Sequence, residues 1–195
     1  MRPIYQKGTM LLMEYYTQLA HNEPLYQRCQ QLTKNPEFVQ YSQAQQRCVL
    51  NMLRDFKRSG VHLAPAVREK IAQSVQRVSV LQNTFENNLM DATDHWQYEI
   101  TRQDMLAGLP ETERKLAQKE AQRQSKSGYV ITLKPNCVDA VLRFAKHRSL
   151  RRRVYQAYVT RASSLSHQGK WDNGPVMVDI LAQRFSTGAE VDLVA

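Results

Sequence analysis

The chain has 195 residues, 42% of them apolar and 23% charged, with a formal net charge of +9. That length and balance fit one globular domain, or one domain with a short appendage, and exclude wholesale disorder. Only seven Gly and seven Pro interrupt it, so helix is the expected state of most of the chain, and the positive excess admits either a basic binding face or charge balanced elsewhere in something larger.

Pro3 suits a first helical turn, and residues 4–20 read as helix with Met10, Met13, Tyr16 and Leu19 roughly in register. The apolar run Met10-Leu11-Leu12-Met13 stops at Glu14 with no small-residue cleavage site after it, so no signal peptide is read there. No stretch approaches the roughly 18 apolar residues of a membrane span. A second short helix covers Glu23 to Leu32 and is broken by Asn35-Pro36. Ser42 is placed to cap a third, which carries Val49, Leu53 and Phe56 and ends before Gly60.

Pro65 opens the clearest element. Val67, Ile71, Val75, Val78, Leu81, Phe85 and Leu89 follow one another at steps of three or four, an apolar stripe along a long helix whose expected role is core packing. Trp96 to Thr101 alternates like a strand, and Tyr129-Val130-Ile131-Thr132-Leu133 is the most β-prone run of the chain. Between them, Pro110 to Lys126 reads as an exposed, charged helix with Leu116 as its main contact. Pairing 96–101 with 129–133 would give a small antiparallel ribbon that needs helices to support it. Asn136 is expected to cap a helix through Lys146, and Ser149 another through Arg161 with Val154, Tyr155 and Tyr158 inward. After a polar loop over 162–174, Pro175 opens a last helix anchored by Val176, Ile180 and Leu181, and Ser186 to Ala195 shows no helical period. The predicted fold is mainly α, a multi-helix array with one β-ribbon, and without repeats, low-complexity linkers or a visible domain boundary.

Chemistry-bearing patterns are sparse. Cys29, Cys48 and Cys137 are odd in number and widely spaced, which supports neither a disulfide framework nor a zinc knuckle. They fit a reducing cytoplasmic compartment, with Cys48 as a small buried hydrophobe. His21, His62, His95, His147 and His167 form no HExxH, the arrangement that places two zinc ligands and a general base on one helix face. Asp94 and His95 are adjacent and so do not face each other on a helix. GxSxG, GxGxxG and the phosphate loop are absent from the sequence. Asp91, Asp94, Glu99 and Asp104 span a helix end, a strand and a turn, with nothing to set two of them around one substrate. Arg143, Lys146, His147, Arg148, Arg151, Arg152, Arg153 and Arg161 form a basic run interleaved with Tyr155 and Tyr158. A nucleic-acid surface is one reading of it, and the solvated face of an amphipathic helix is the preferred one.

The segment Arg148 to Arg184 carries a resemblance. Leu150-Arg151, Val154-Tyr155, Ala157-Tyr158 and Thr160-Arg161-Ala162-Ser163 are followed by Lys170-Trp171-Asp172-Asn173 and Ile180-Leu181-Ala182-Gln183-Arg184. Upstream, Asn51 with Leu53-Arg54-Asp55-Phe56, Ser59-Gly60, Leu81, Asn83, Phe85, Asn88-Leu89 and Asp91-Ala92-Thr93 stand in the same order. So do Leu106-Ala107-Gly108-Leu109-Pro110-Glu111, Gly128-Tyr129 and Thr132-Leu133. Together, over residues 1–184, they resemble the region ahead of the catalytic core in oligopeptidase A and its thimet oligopeptidase relatives.

The resemblance implies zinc metallopeptidases that cleave short peptides in a deep channel between helical halves. Their HExxH and a further acidic zinc ligand lie well C-terminal of the matched part. No position here corresponds to them, so no catalytic, substrate-binding or metal residue is carried over. Zinc belongs to the full-length family and is expected to be bound by none of this chain. The resemblance further implies a chain that begins inside the family's N-terminal region and departs from it at Phe185-Ser186-Thr187-Gly188. Residues 1–184 are then a partial helical region and 185–195 an irregular, divergent tail, as in a truncated or frameshifted product. Expected partners are short peptides in the intact enzyme and a separately supplied catalytic half. A stand-alone helical interaction module is the alternative, a nucleic-acid-binding protein is disfavoured, and no membrane association is expected.

Overall fold

The computed structural model describes residues 2–192, and among these it holds eight α-helices, three 3-10 turns and one two-stranded antiparallel ribbon. The chain divides into two compact units, one built from residues up to Asn83 together with those from Val178 onward, the other from Thr84–Met177. Both dividing points lie inside helices, α4 (Pro65–His95) and α8 (Gly174–Asp192). A boundary that falls within a continuous helix has no Gly, Pro or polar linker to betray it, which is why the sequence shows none.

The first unit contains α1 (Arg2–Ala20), α2 (Glu23–Lys34), a 3-10 turn at Pro36–Gln40, α3 (Gln43–Arg58) and the flanking parts of α4 and α8. Local signals set most of these ends. Asn22 accepts from the Leu25 amide at 3.0 Å and starts α2. Ser42 caps α3 as expected, and Gln45 reaches back to complete a capping box. At the other end of α3, the Gly60 amide bonds Lys57 O and the Val61 amide bonds Phe56 O. This paired closure requires the left-handed φ of +82° that Gly60 adopts. It also brings Val61 onto Phe56, and these two with Tyr26 make the buried centre of the unit, with Cys29 and Leu53 packed against it. The Tyr26 and Phe56 rings meet edge-on at 5.9 Å. Cys48, expected inside, is exposed, because it sits about a quarter-turn away from the line of Val49 and Phe56.

The stripe on α4 is only partly used. Ile71 and Leu81 are buried, whereas Val67, Val75 and Val78 in this unit and Phe85 and Leu89 in the second are half-buried.

The second unit holds β1 (Gln97–Ile100), a 3-10 turn at Gln103–Leu106, α5 (Glu111–Arg123), β2 (Tyr129–Thr132), α6 (Pro135–Phe144), α7 (Arg148–Thr160) and a turn at His167–Gly169. The strands pair antiparallel with Gln97 opposite Thr132 and Ile100 opposite Tyr129, as the alternation predicts. α5 connects them and packs on β2, and α6 packs on β2 and α7. The core gathers Ile100, Leu106, Ile131, Leu133, Val141, Leu150 and Val154 among others.

Several expectations need correcting. Leu116 is 56% exposed, and α5 instead buries Ala117 and Ala121; the small side chains let the helix lie close to the strands. α6 starts at Pro135 after Lys134, not at Asn136, because Pro fixes the backbone angle of a first helical residue. It also stops at Phe144. α7 starts after His147 with no side-chain cap, and Ser149 lies inside its first turn. Its inward line is Leu150, Val154 and Tyr158, four residues apart, which leaves Tyr155 exposed. On α8, Ile180 is buried but Leu181 is exposed. The irregular tail expected over 185–195 is helical as far as Asp192, and residues 193–195 lie outside the described ones. A lone Gly188 costs a helix about 1 kcal/mol but does not end it, and the Thr187 hydroxyl donates back to Gln183 O at 2.9 Å.

Candidate functional site

No three His, Cys, Asp or Glu side chains among the described residues are grouped to hold a metal ion. The histidines are dispersed. His21 Nε2 lies 2.8 Å from Ser59 O and ties the end of α1 to the end of α3. The His95 ring lies 5.0 Å from that of Trp171. His62 is exposed, and His147 precedes α7 without capping it. The His167 side chain is outside the described set.

The four singled-out carboxylates do not converge either. Asp104 pairs with Arg102 on the surface, and the hydrogen bond from that guanidinium holds its carboxyl below the usual range. Glu99 meets Lys126 at 2.6 Å. Asp94 lines a polar cavity of about 310 Å³ with Glu120, Arg123 and Lys134. Asp91 lies on α4, away from the strand and turn that carry Glu99 and Asp104. In that cavity Glu120 accepts from Arg123 at 2.6 Å and from Gln124 at 2.9 Å, so its carboxyl also sits below its ordinary value. Glu120 and Arg123 thus pair with each other in that cavity.

An apolar concavity lies in the first unit, between α1 and α4. It measures about 550 Å³ and is lined by Met10, Met13 and Val75 together with Gln18, Gln73 and Gln76. Most large apolar residues of α1, among them Leu11, Leu12, Tyr15 and Tyr16, remain exposed. A helix apolar around most of its circumference is suited to burial, so this exposure is unusual for an outer helix.

The segment most specific to the resemblance has a structural explanation. Asn173 is 6% exposed. Its Nδ2 donates to Phe85 O at 3.0 Å, and its Oδ1 accepts from Asn88 at 2.9 Å. Its amide donates to Ala162 O at 3.0 Å, closing the loop that begins at Arg161. Asp172 Oδ1 accepts from the Gly174 amide as α8 begins. Reasoning from the sequence took Asn173 as part of a motif and missed this anchoring role. An Asn just before a Gly-Pro helix start was the available signal.

Residues 1–68 match the family model described as the N-terminal domain of neurolysin and thimet oligopeptidase. Oligopeptidase A of Haemophilus influenzae is 38% identical over 185 residues, which is 94% of this chain and 27% of that protein. Oligopeptidase A of Escherichia coli is 35% identical over the same shares. A probable cytosolic oligopeptidase A of Arabidopsis thaliana is 29% identical over 88% of this chain and 25% of its own length. The chain thus spans about a quarter of the length of the curated relatives it matches.

Proposed function

This chain is homologous to the N-terminal part of the oligopeptidase A and thimet oligopeptidase peptidases, and from that premise we propose that it supplies part of the channel wall of a zinc-dependent oligopeptidase. The observation that carries the reading is identity of 35–38% sustained over 94% of the chain. In the intact enzyme this helical region limits entry to short peptides. Zinc, held by residues outside these 195, would polarise the scissile carbonyl. The groove between α1 and α4 supports a peptide-facing role. Met10, Met13 and Val75 offer an apolar lining, and the amides of Gln18, Gln73 and Gln76 offer donors and acceptors that match a peptide backbone. A cytoplasmic setting agrees with three free cysteines.

With no HExxH in its sequence, the chain by itself is inactive. The test is hydrolysis of a quenched-fluorescent short peptide by the purified chain, with and without added zinc. No cleavage is expected, and cleavage abolished by a chelator overturns the reading. Sequencing the DNA beyond the codon for Ala195 decides whether a catalytic half is encoded with it.

The exposure of Leu11, Leu12, Tyr15 and Tyr16 on α1 is what a fragment with a missing docking half presents, and the alternative reading is a stand-alone helical interaction module. A fragment that lacks its catalytic half predicts self-association or apolar-dye binding through that surface. A module predicts a monodisperse chain with one specific partner. Light scattering separates them.

A further inference from the structure

Charge is placed unevenly within the second unit. Residues 84–133 carry six Lys or Arg against eight Asp or Glu, whereas residues 134–170 carry nine against one. Most of those nine are engaged. Arg143 pairs with Asp139 at 2.8 Å. Arg151 donates to the carbonyls of Ala145 and Lys146. Arg153 lies 4.3 Å over the Tyr98 ring, Arg161 lies 3.7 Å over Tyr158, and Lys170 lies 4.7 Å over Trp171. Lys134 acts on Glu120. Lys146, Arg148 and Arg152 are left exposed, without an acidic partner among the described residues.

Arg148 and Arg152 belong to one line on α7. Arg148, Arg152, Tyr155 and Val159 follow at steps of four, three and four, so they share a face opposite to buried Leu150 and Val154. Tyr155 is 55% and Val159 53% exposed. The first turn of α7 has neither an acidic residue nor a side-chain cap. The helix dipole therefore adds to the positive potential of the arginines rather than offsetting it.

From this juxtaposition we infer that the exposed face of α7 docks an acidic, amphipathic polypeptide segment. Its carboxylates pair with Arg148 and Arg152, and its apolar side chains cover Tyr155 and Val159. Guanidinium groups bind carboxylates through two parallel hydrogen bonds, which fixes orientation as well as sign. Nucleic acid fits the face less well. Three free cations are fewer than the roughly 6–10 phosphate contacts of a typical binder, and the aliphatic Val159 gives a base no stacking platform. The inference stands on charge placement and exposure and does not depend on the peptidase reading.

The test is fluorescence anisotropy with the 195-residue chain and a fluorescein-labelled helical peptide bearing Glu and Leu at four-residue spacing. Saturable binding that weakens with salt is expected. Replacing both arginines, R148E with R152E, should weaken it by about tenfold or more, and so should replacing the peptide's Glu by Gln. Tyr155→Ala or Leu→Ala in the peptide should weaken it several-fold. The peptide-side changes read the same contacts on an unaltered protein, so the outcome does not depend on how the double variant folds. Absence of binding at low salt, or binding indifferent to peptide Glu→Gln, overturns the inference. A labelled single-stranded oligonucleotide that binds more tightly than the peptide overturns the assignment of a polypeptide partner.

Discussion

Asn88 Nδ2 donates to Asn173 Oδ1 over 2.9 Å, joining two side chains 85 positions apart. Asn173 in turn donates to Phe85 O, so a single buried amide fixes the start of α8 against one turn of α4. Removing it leaves Phe85 O without that donor and Asn88 without that acceptor. Asn173→Ala should therefore destabilise the chain by about 1–3 kcal/mol. Asn88→Ala, at a half-buried site that water can reach, should cost less. Urea unfolding of both variants measures this, and equal midpoints for Asn173→Ala and the parent would remove the anchoring role.

Gly108 adopts a φ of +92°, and a Cβ there would collide with the carbonyl oxygen of Phe144 and come within 3.2 Å of Lys146 N. Gly108→Ala should lower stability by about 1–3 kcal/mol. Gly8 sits on exposed α1, where an added methyl would meet nothing within 4 Å, so Gly8→Ala should be neutral or stabilising by up to about 1 kcal/mol. Thermal melts of the two variants should move apart.

The three thiols should react in a set order. Cys48 is exposed. Cys29 is half-buried with its thiol directed at Met52 Sδ, 3.4 Å away. Burial pushes the Cys137 thiol above its ordinary value, which lowers its thiolate fraction as well as its access. Titration with an aromatic disulfide reagent should label Cys48 first and Cys137 last, the latter quickening only as the chain unfolds. Early labelling of Cys137, located by mass spectrometry, would contradict its buried position.

Glu120 supplies a pH dependence. Hydrogen bonds from Arg123 and Gln124 depress its folded-state pKa. The stabilisation is complete above the free glutamate value of ~4.3 and is lost as pH falls through the lower folded value. Arg123 is largely exposed, so the effect should be about 0.5 kcal/mol or less. Glu120→Gln should lower the melting temperature slightly at pH 7 and match the parent once pH has fallen below the folded-state value. A larger gap in acid than at neutrality would reverse the sign argued here.

Legibility followed the range of the interaction that decides each feature. Ser42 before α3, Gly60 after it and the alternation in 96–101 and 129–133 are local, and the structure agrees with the reading of each. The errors arise where a neighbour one residue away on a helix wins the buried position. Leu116 lost to Ala117, Tyr155 to Val154, and Leu181 to Ile180. Propensity ranks those pairs by size, but packing chooses by direction. The basic run shows the same division. Its amphipathic character was legible, but the pairing of Arg153 with Tyr98, which separates engaged from free arginines, depends on a strand some 50 residues earlier in the chain.

The two strands of the ribbon are separated by the whole of α5, and α5 itself covers β2 through Ala117 and Ala121. Neither strand has another partner among the described residues. Pairing Ile100 with Tyr129 therefore requires closing a long loop, a step that a formed helix shortens. Strand pairing and α5 should thus appear together during folding. A backbone cut within Glu111–Arg123 would remove the sheet along with its cover, so this stretch is inherited as one piece or lost as one piece.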